Sequence, residues 1–321
     1  MNGYWRKKIP RFDLGERTKK MFVDITGKKR LKAGLHTHTT VSDGRVSPKE
    51  AIRRYAEAGY DILAFTDHWK YGECKEIDGL KLVSGCEYHM EWLNEETGVY
   101  EIFHIVGLDM NYDPMVEYDS QADINEQVHS VVRQIREAGG VAVLAHPLWS
   151  MNAPDQILEA GDFDALEIYN SVSESAYADR PYSGPIVDML ATKGVYYPLL
   201  ATDDTHYYTG EEFRGMVMLE ADAVETLGLA GAIRAQRFYA TQGPEIHLER
   251  ISQDEIRVLT SPAIKIAFFS NLPWARDRVL RGEGLTEAIY TISHDRRERF
   301  VRAEVTDEHG RMAWSNIIQI R

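Results

Sequence analysis

The sequence contains little cysteine and no long apolar run. Cys74 and Cys86 are the only cysteines in 321 residues, which excludes a disulfide framework and suits a reducing cytoplasm. No stretch approaches the roughly 18 consecutive apolar residues that a membrane-spanning helix requires. The first residues also lack the continuous apolar core and the small-residue cleavage site of a secretory signal. We therefore expect a cytoplasmic protein without a membrane span.

Basic residues are fewer than acidic residues. The chain holds 37 Lys and Arg residues against 50 Asp and Glu residues, a formal net charge of −13. This balance argues against broad affinity for nucleic acid, which depends on basic side chains that neutralise phosphates. Residues 1–32 are the exception, with eleven basic and three acidic residues. We interpret 1–32 as a basic arm that packs on the acidic body, with a tether to nucleic acid or to a membrane as the alternative.

The length suggests one large domain and one small one, since α/β barrels extend to about 250 residues as a single unit. Between residues 33 and 240, short apolar runs alternate with amphipathic stretches, such as the helix predicted by the capping box S-P-K-E at 47–50. This alternation predicts an α/β fold with a mainly parallel sheet. After residue 240 the sequence alternates between apolar and polar residues, which predicts a small β-sandwich over 241–321. Its expected role is that of a lid, a packing surface or a homo-oligomer contact, with substrate recognition as the alternative.

Metal-binding residue types fall at or near the ends of, or within, six of seven apolar runs. The runs are "AGLH", "YDILAFTDH", "LKLVSGCE", "EIFHIVGL", "GVAVLAHP", "FDALEIYN" and "VYYPLLATDDTH". The residues at their ends or within them are His36, His38, Asp67, His68, Glu87, His104, His146, Asp204 and His206. Because the carboxyl ends of parallel barrel strands open on one face, we expect these side chains to converge there. Mixed imidazole and carboxylate ligands suit Mn, Fe or Zn.

Seven motifs, in this order, resemble those of a known family. They are "LHTHTTVSDG", "FTDH", "GCE", "FHIVGL", "LAHP", "LEIYN" and "TDDTH", and they resemble the polymerase and histidinol phosphatase, or PHP, superfamily over roughly residues 33–210. The resemblance implies a distorted, TIM-like seven-stranded β/α barrel that binds two or three divalent ions and is used mostly for phosphoester hydrolysis. The segment "GCEYHMEWLNEETGVYEIFHIVGL" is also similar to the branch that contains carbaryl-type hydrolases, which cleave a carbamate ester.

The resemblance further implies a set of metal ligands. A first ion would be held by His36, His38, Glu87 and Asp204, a second by Asp43, His68 and His206, and a third by His104, His146 and a shared oxygen of Glu87. Some relatives carry histidine at the position of Asp43, so this chain departs from them at the second ion.

Clustered cations predict a reaction that needs no serine or cysteine nucleophile. Two ions about 3.5 to 4 Å apart can bridge a water and present it as hydroxide to the scissile bond. The predicted catalytic residues are Glu87 and Asp204, which hold the ions, together with Asp67. We interpret Asp67 as a carboxylate that orients an imidazole, with proton donation to the leaving group as the alternative.

Four further residues are weaker candidates for substrate contacts. Arg45, Arg180 and Arg214 fall near the motifs, and arginine suits phosphate because its guanidinium can form paired hydrogen bonds. Each is alternatively a solvated charge. His89 lies two residues after Glu87 on the same strand face, where it could assist the substrate or a metal, or serve as a hydrogen-bonded rim histidine.

These features predict a metal-dependent phosphoesterase that hydrolyses a small phosphoester of the nucleotide or sugar phosphate type. The alternatives are a carboxyl-ester or carbamate hydrolase that uses the same ions, and a metal-binding protein without catalysis. The expected partner is a small-molecule substrate, and neither a nucleic acid nor a membrane is expected. Proofreading of DNA is not expected either, since no polymerase segment accompanies the barrel.

Overall fold

The computed structural model describes residues 21–77, 79–95, 97–117, 119 and 122–320. Most of the predicted basic arm, residues 1–20, lies outside these ranges. In its described part, Arg30 is buried and pairs with Asp24 at 2.6 Å, and Lys28 pairs with Glu220 at 2.7 Å. No helix within the described ranges is long and apolar enough to cross a membrane.

The strands of the described chain begin before the first apolar run and continue almost to residue 320. They are β1 Phe22–Val23, β2 Lys29–Gly34, β3 Ile62–Ala64, β4 Lys75–Ile77, β5 Leu80–Val83, β6 Gly85–Asn94, β7 Val99–Leu108, β8 Val141–Leu144, β9 Ala165–Asn170, β10 Leu199–Thr202, β11 Met216–Glu220, β12 Phe238–Thr241, β13 Ile246–Arg250, β14 Glu255–Phe269, β15 Val279–Thr291, β16 Phe300–Thr306, β17 Met312–Trp314 and β18 Ile318–Gln319.

The α-helices are α1 Pro48–Glu57, α2 Ile124–Glu137, α3 Pro154–Ala160, α4 Gly184–Thr192 and α5 Ala221–Arg234, and a 3₁₀ helix covers Val172–Glu174. Helix α1 begins as its capping sequence predicts, because the Ser47 side chain accepts a hydrogen bond from the Glu50 backbone N–H. The chain leaves this helix at Gly59, whose φ of +82° suits glycine.

The strands form two sheets rather than one. The larger sheet has the order β13-β14-β16-β17-β12-β11-β2-β3-β5-β4, with β1, β15 and β18 attached to β2, β14 and β16, and the smaller sheet has the order β10-β9-β8-β7-β6. The pairs β2–β3, β3–β5, β8–β9 and β9–β10 are parallel, whereas β6–β7 and β7–β8 are antiparallel. A mixed α/β fold is therefore confirmed, with fewer parallel pairs than the sequence predicted.

The ladders of the described residues do not close into the expected seven-stranded barrel. Strand β2 pairs with β3 on one edge and with β11 on the other, so no edge is left on which β10 could form a ladder. Isolated bridges between Thr37 and Thr205 and between His68 and Glu87 connect the two sheets instead. The distorted barrel is thus not confirmed in its details, because a neighbouring strand occupies the edge that closure would need.

The described structure does not confirm the predicted C-terminal sandwich as a separate sheet pair. Strands β12 and β17 pair with Ala240 opposite Trp314, so the strands after residue 245 extend the larger sheet. The Trp314 ring stacks on Tyr169 of β9 with 5.3 Å between ring centroids. Phe300 and Ile317 join the same buried apolar cluster. The C-terminal region therefore shares a hydrophobic core with the preceding residues, and sheet hydrogen bonds continue across the predicted boundary.

A buried ion network also connects the C-terminal region to helix α4. The guanidinium of Arg302 is fully buried and donates to both carboxylate oxygens of Asp188, at 2.7 and 2.8 Å. It also donates to Glu304, which accepts a second hydrogen bond from the Tyr182 hydroxyl. We call these four residues the Arg302 network. Each of its charged groups is hydrogen bonded within the protein.

The space between the two sheets is filled by apolar side chains. Leu31 and Ile62 of the larger sheet lie in one buried cluster with Val143 and Leu200 of the smaller sheet. Burial of this kind contributes about 25 cal/mol per Å² of apolar surface. The packed interior fixes the two sheets against each other and so fixes the strand ends that carry the polar residues.

Candidate metal centre

The predicted metal ligands lie at one end of the packed interior. Four strands deliver residues after their carboxyl ends, and the β6–β7 hairpin delivers two more from within its strands. In chain order they are His36 and His38 after β2, His68 after β3, Glu87 in β6, His104 in β7, His146 after β8, and Asp204 and His206 after β10.

Backbone hydrogen bonds join the two sheets at this place. The His38 N–H donates to the Thr205 carbonyl at 3.0 Å, and the Asp204 N–H donates to the His36 carbonyl at 3.0 Å. The segments after β2 and β10 are therefore held side by side, even though their strands form no ladder. This contact brings residues almost 170 positions apart in sequence into one site.

Three groups of side chains could each hold a metal ion, since the ligand atoms within each group lie within 4.8 Å of one another. The groups are His36, His38, Glu87 and Asp204; His38, Asp43, His68 and His206; and Glu87, His104 and His146. The structure thus brings together every metal ligand that the sequence predicted. It also adds His38 to the second group, so that this histidine belongs to both the first and the second groups.

The first group contains buried oxygen atoms without a hydrogen bond. Among the described residues, Glu87 Oε2 and Asp204 Oδ1 are buried and have no hydrogen-bond partner. His38 Nε2 nevertheless lies 2.9 Å from Glu87 Oε2 and 3.1 Å from Asp204 Oδ1. The atoms are close but not aligned as donor and acceptor. A buried carboxylate oxygen left in this way is costly unless a cation binds there, so these residues fit a divalent ion.

The second group is more exposed. The Asp43 side chain is 52% exposed, and its oxygens lie 3.4 Å from His206 Nε2 and 3.7 Å from His68 Nε2. The turn that places it depends on Gly44, because a Cβ at this position would lie 2.6 Å from the backbone of His38. The S-D-G sequence therefore folds the carboxylate back over the two histidines.

In the third group two imidazoles approach the other oxygen of Glu87. His104 Nδ1 lies 2.9 Å and His146 Nε2 lies 3.4 Å from Glu87 Oε1. Glu87 therefore stands between the first and third groups, with one oxygen toward each. The ring of Trp149 packs on His146 with 4.9 Å between ring centroids.

Glu167 is a functional residue that the sequence analysis did not identify. It is buried on β9, where it accepts a hydrogen bond from His36 Nδ1 at 2.7 Å and from the His146 backbone N–H at 2.9 Å. It also accepts from Thr202 Oγ1 at 2.8 Å. A proton held on Nδ1 leaves Nε2 of His36 free to bind a metal. The available signal was a glutamate inside the otherwise apolar run "ALEIYN".

The backbone at the site adopts uncommon conformations. His146 has a φ of +28° and Asp204 a φ of +52°, values that non-glycine residues adopt rarely and at a cost of about 1–3 kcal/mol. Asn170, at the end of β9, donates to Asp204 Oδ2 at 3.1 Å and helps to hold this carboxylate in place. The surrounding contacts thus maintain a strained arrangement of ligand residues.

Asp67 has a different role from the one predicted. Its carboxylate accepts hydrogen bonds from the Thr39 N–H at 2.7 Å, the Thr39 hydroxyl at 2.8 Å and the Ser42 hydroxyl at 2.8 Å. These partners belong to the loop that carries Asp43, and none of them is an imidazole. The prediction that Asp67 orients an imidazole is therefore wrong, and Asp67 is a positioning residue for the 39–44 loop.

The electrostatics of the cluster favour charged carboxylates. Burial alone would raise the pKa of the Glu87 carboxyl, but the imidazoles of His36 and His104 hold that pKa well below its usual range. Burial lowers the pKa of His68 to about 4. At neutral pH the carboxylate is charged and the His68 imidazole is neutral, which are the forms that bind metal ions.

The four candidate substrate residues occupy different surroundings. His89 Nδ1 lies 3.1 Å from His68 Nδ1, at the edge of the cluster. Arg214 is paired with Glu174 at 2.6 Å. Arg180 is exposed, and its backbone N–H donates to the Ser173 carbonyl. Arg45 is exposed and lies beside the second group, where its backbone N–H donates to the His206 carbonyl at 2.8 Å.

Comparison with known proteins places this site in a family. A family model described as the PHP domain matches residues 34–218, which is more than half of the chain. A 5′-3′ exoribonuclease of Haemophilus influenzae is 36% identical over 88 residues, which are 26% of this chain and 29% of that protein. A 5′-3′ exoribonuclease of Escherichia coli is 35% identical over 97 residues, which are 27% of this chain and 31% of that protein. The matched stretches thus span less than a third of these curated relatives.

A solved structure shares the fold over nearly the whole chain. It is a two-domain protein of Bacteroides vulgatus described as containing a predicted PHP-like metal-dependent phosphoesterase. The superposition has a TM-score of 0.50 with 14% identity, and it covers 94% of this chain and 99% of that one. At this identity the likeness concerns the fold, including the strands after residue 240.

Proposed function

The chain belongs to the PHP domain family, and on that premise we propose that it is a metal-dependent hydrolase of a small phosphoester of the nucleotide or sugar phosphate type. The observation that carries the proposal is the convergence of three ligand groups at one end of the interior, where the first group contains two buried oxygens, of Glu87 and Asp204, that lack hydrogen bonds. Clustered cation positions suit a phosphate, because its several negative oxygens can be bound together.

Two or three divalent ions, Mn, Fe or Zn by the ligand types, would be held by the three groups. When bound, such ions supply water activation and offset the charge that develops on the substrate. The protein's own residues fix the ligands in place. Glu167 holds the proton of His36 on Nδ1, Asn170 restrains Asp204, and Asp67 fastens the loop that carries Asp43.

RNA is a second candidate substrate, because two relatives that match parts of this chain are named as exoribonucleases. The formal charge of −13 favours the small substrate, since affinity for RNA depends on basic side chains. The carbamate or carboxyl-ester alternative would use the same ligands, and only an assay separates it from phosphoester hydrolysis.

A substrate panel tests the proposal. The protein is stripped with a chelator, reloaded with Mn, Fe or Zn, and assayed with p-nitrophenyl phosphate, nucleoside and sugar monophosphates, a 5′-phosphorylated oligoribonucleotide and p-nitrophenyl acetate. We expect turnover of small phosphoesters that disappears with the chelator and returns with metal. Cleavage of the acetate ester without any phosphoester would contradict the proposal, and a strong preference for the oligoribonucleotide would favour the second candidate.

A further inference from the structure

A side cavity opens next to the second ligand group. It has a volume of about 440 Å³, and Arg45 and Tyr207 line its edge toward the metal centre. Both residues are tied to that centre, because the Arg45 backbone N–H donates to the His206 carbonyl at 2.8 Å and Tyr207 follows His206 in the chain. The cavity therefore lies next to the segment that carries His206, one of the ligands of the second group.

The opposite wall is also fixed to the strand that carries the metal ligands. The Ser171 N–H donates to the Thr202 carbonyl at 3.0 Å, and the Val172 N–H donates to the Asp203 carbonyl at 3.0 Å. Thr202 and Asp203 are the two residues that precede the metal ligand Asp204 in the chain. The shape of the cavity is thus set by the same backbone that sets the ligand positions.

The two carboxylates of the cavity are already engaged by hydrogen bonds within the protein. Glu211 accepts hydrogen bonds from the backbone N–H groups of Tyr207, Tyr208 and Thr209. Glu174 accepts from Arg214 at 2.6 Å and from the Tyr169 hydroxyl at 2.8 Å. Neither carboxylate is therefore available to pair with a cation that enters from solvent.

Arg45 differs from these residues. Its guanidinium carbon lies 4.9 Å from the centroid of the Tyr207 ring, and among the described residues it has no carboxylate partner. An arginine that is stacked on an aromatic ring keeps its N–H groups available, and these groups match the geometry of phosphate and carboxylate oxygens. Within the described residues, the cavity therefore presents one guanidinium that no carboxylate occupies, and this guanidinium lies beside the metal centre.

We propose that this side cavity binds a second anionic group of the substrate, a phosphate or a carboxylate, through the guanidinium of Arg45. The inference rests on the proposed function, because it places the scissile phosphoester on the neighbouring metal centre. It narrows the substrate class to small phosphoesters that carry a further negative group. Arg45 is thereby a specificity residue for the part of the substrate that does not react.

Phosphonates test this inference without any turnover. The Mn-loaded protein is titrated calorimetrically with alkylphosphonates of three to six carbons, with α,ω-bisphosphonates of the same lengths, and with ω-carboxyalkylphosphonates. We expect at least one compound with a second anionic group to bind about tenfold more tightly than the alkylphosphonate of equal length, which is the scale of a charged hydrogen bond. In Arg45→Met this preference should fall to about one.

Arg296→Met is the matched control, because Arg296 is also exposed and also lies over an aromatic ring, that of Trp274 in the C-terminal region. It should retain the preference. Three results would each overturn the inference. The wild type could bind both classes of phosphonate equally tightly, or Arg45→Met could keep the preference for the second anionic group. The third is that Arg45→Met weakens binding of both classes by the same factor. Because phosphonates are not hydrolysed, these results are independent of the substrate panel, in which failure of the proposed function would appear as absent phosphoester turnover.

Discussion

The metal-centre cluster and the Arg302 network both bury several charged side chains, but they satisfy those charges differently. In the Arg302 network, Arg302 meets Asp188 with two hydrogen bonds and Glu304 with another. In the metal-centre cluster, Glu87 and Asp204 each keep a buried oxygen without a hydrogen bond.

The difference separates structural from functional burial of charge. A network whose groups satisfy one another has no need of a ligand, and its removal leaves an uncompensated charge in the interior. A cluster whose ligand atoms converge without satisfying one another gains from a bound cation. We therefore expect substitutions in the first region to affect stability and substitutions in the second to affect metal content and catalysis.

Glu87→Gln should have the largest effect. The amide keeps the shape of the side chain but removes the charge shared between the first and third groups, so we expect bound metal to fall and kcat/KM for the best phosphoester to drop by about three orders of magnitude. Metal analysis and steady-state kinetics measure this. Glu91→Gln, at an exposed position on the same strand, is the control and should stay within about twofold. Full activity in Glu87→Gln would show that the metal centre does not take part in the reaction.

Arg302→Met should destabilise the fold strongly without changing the chemistry. It leaves Asp188 and Glu304 without their common partner, so we expect the free energy of unfolding to fall by about 3–5 kcal/mol. Urea denaturation measures the change. The folded variant should bind as much metal per chain as the wild type. Arg53→Met, which breaks only exposed ion pairs on α1, should leave the midpoint unchanged. A loss of metal from folded Arg302→Met protein would show that the two regions are coupled.

Asp43→Asn tests the exposed edge of the cluster. The amide can still shape the turn before Gly44 but binds a cation less strongly than a carboxylate does. We expect the variant to lose about one ion per chain and about 100-fold in kcat, while the buried first group keeps its metal. Unchanged metal content and rate would mean that Asp43 only shapes the loop.

The smallest effect concerns the metal-free protein and pH. Burial would lower the pKa of His36, but Asp204 and Glu87 raise it well above its usual range. The stability from this proton is complete below the unfolded pKa of about 6.5 and is lost as pH rises through the folded value. Burial lowers the pKa of His68 to about 4. Only the unfolded chain binds that proton between about pH 6.5 and 4, so stability falls as the pH falls.

These opposite shifts predict a maximum in the free energy of unfolding of the chelated protein near pH 6.5, with a decline of about 1–2 kcal/mol toward either side. Urea denaturation at acidic, near-neutral and alkaline pH measures the profile. Arg302→Met should lower the whole curve, because it removes the common hydrogen-bond donor of Asp188 and Glu304 and leaves the histidine cluster unchanged. A flat profile in the wild-type protein would contradict the proposed protonation of the cluster.

Much of the metal centre could be predicted from sequence because its residues break the pattern of their surroundings. A histidine or carboxylate at the end of an apolar run is costly to bury, so its repeated presence indicates function. Glu167 was missed because a single glutamate in a strand does not reveal its partners. Asp67 was misassigned for a related reason, since adjacency to His68 suggested a contact that the loop 39–42 supplies instead.

By itself, the sequence determined the α/β character of the chain, the start of α1 and the residue types of the metal site, because these depend on local patterning and on the cost of burying polar groups. The tertiary structure decided how the strands divide into two sheets, how the C-terminal strands extend the larger one, and which charges satisfy each other. Arg302 and Asp188 lie 114 residues apart, and no local pattern relates them. Strands β3 and β11 occupy the two edges of β2, and Asp188 packs against the buried Arg302. Both contacts are properties of the packed chain, because each depends on which distant segment lies beside the residue or strand.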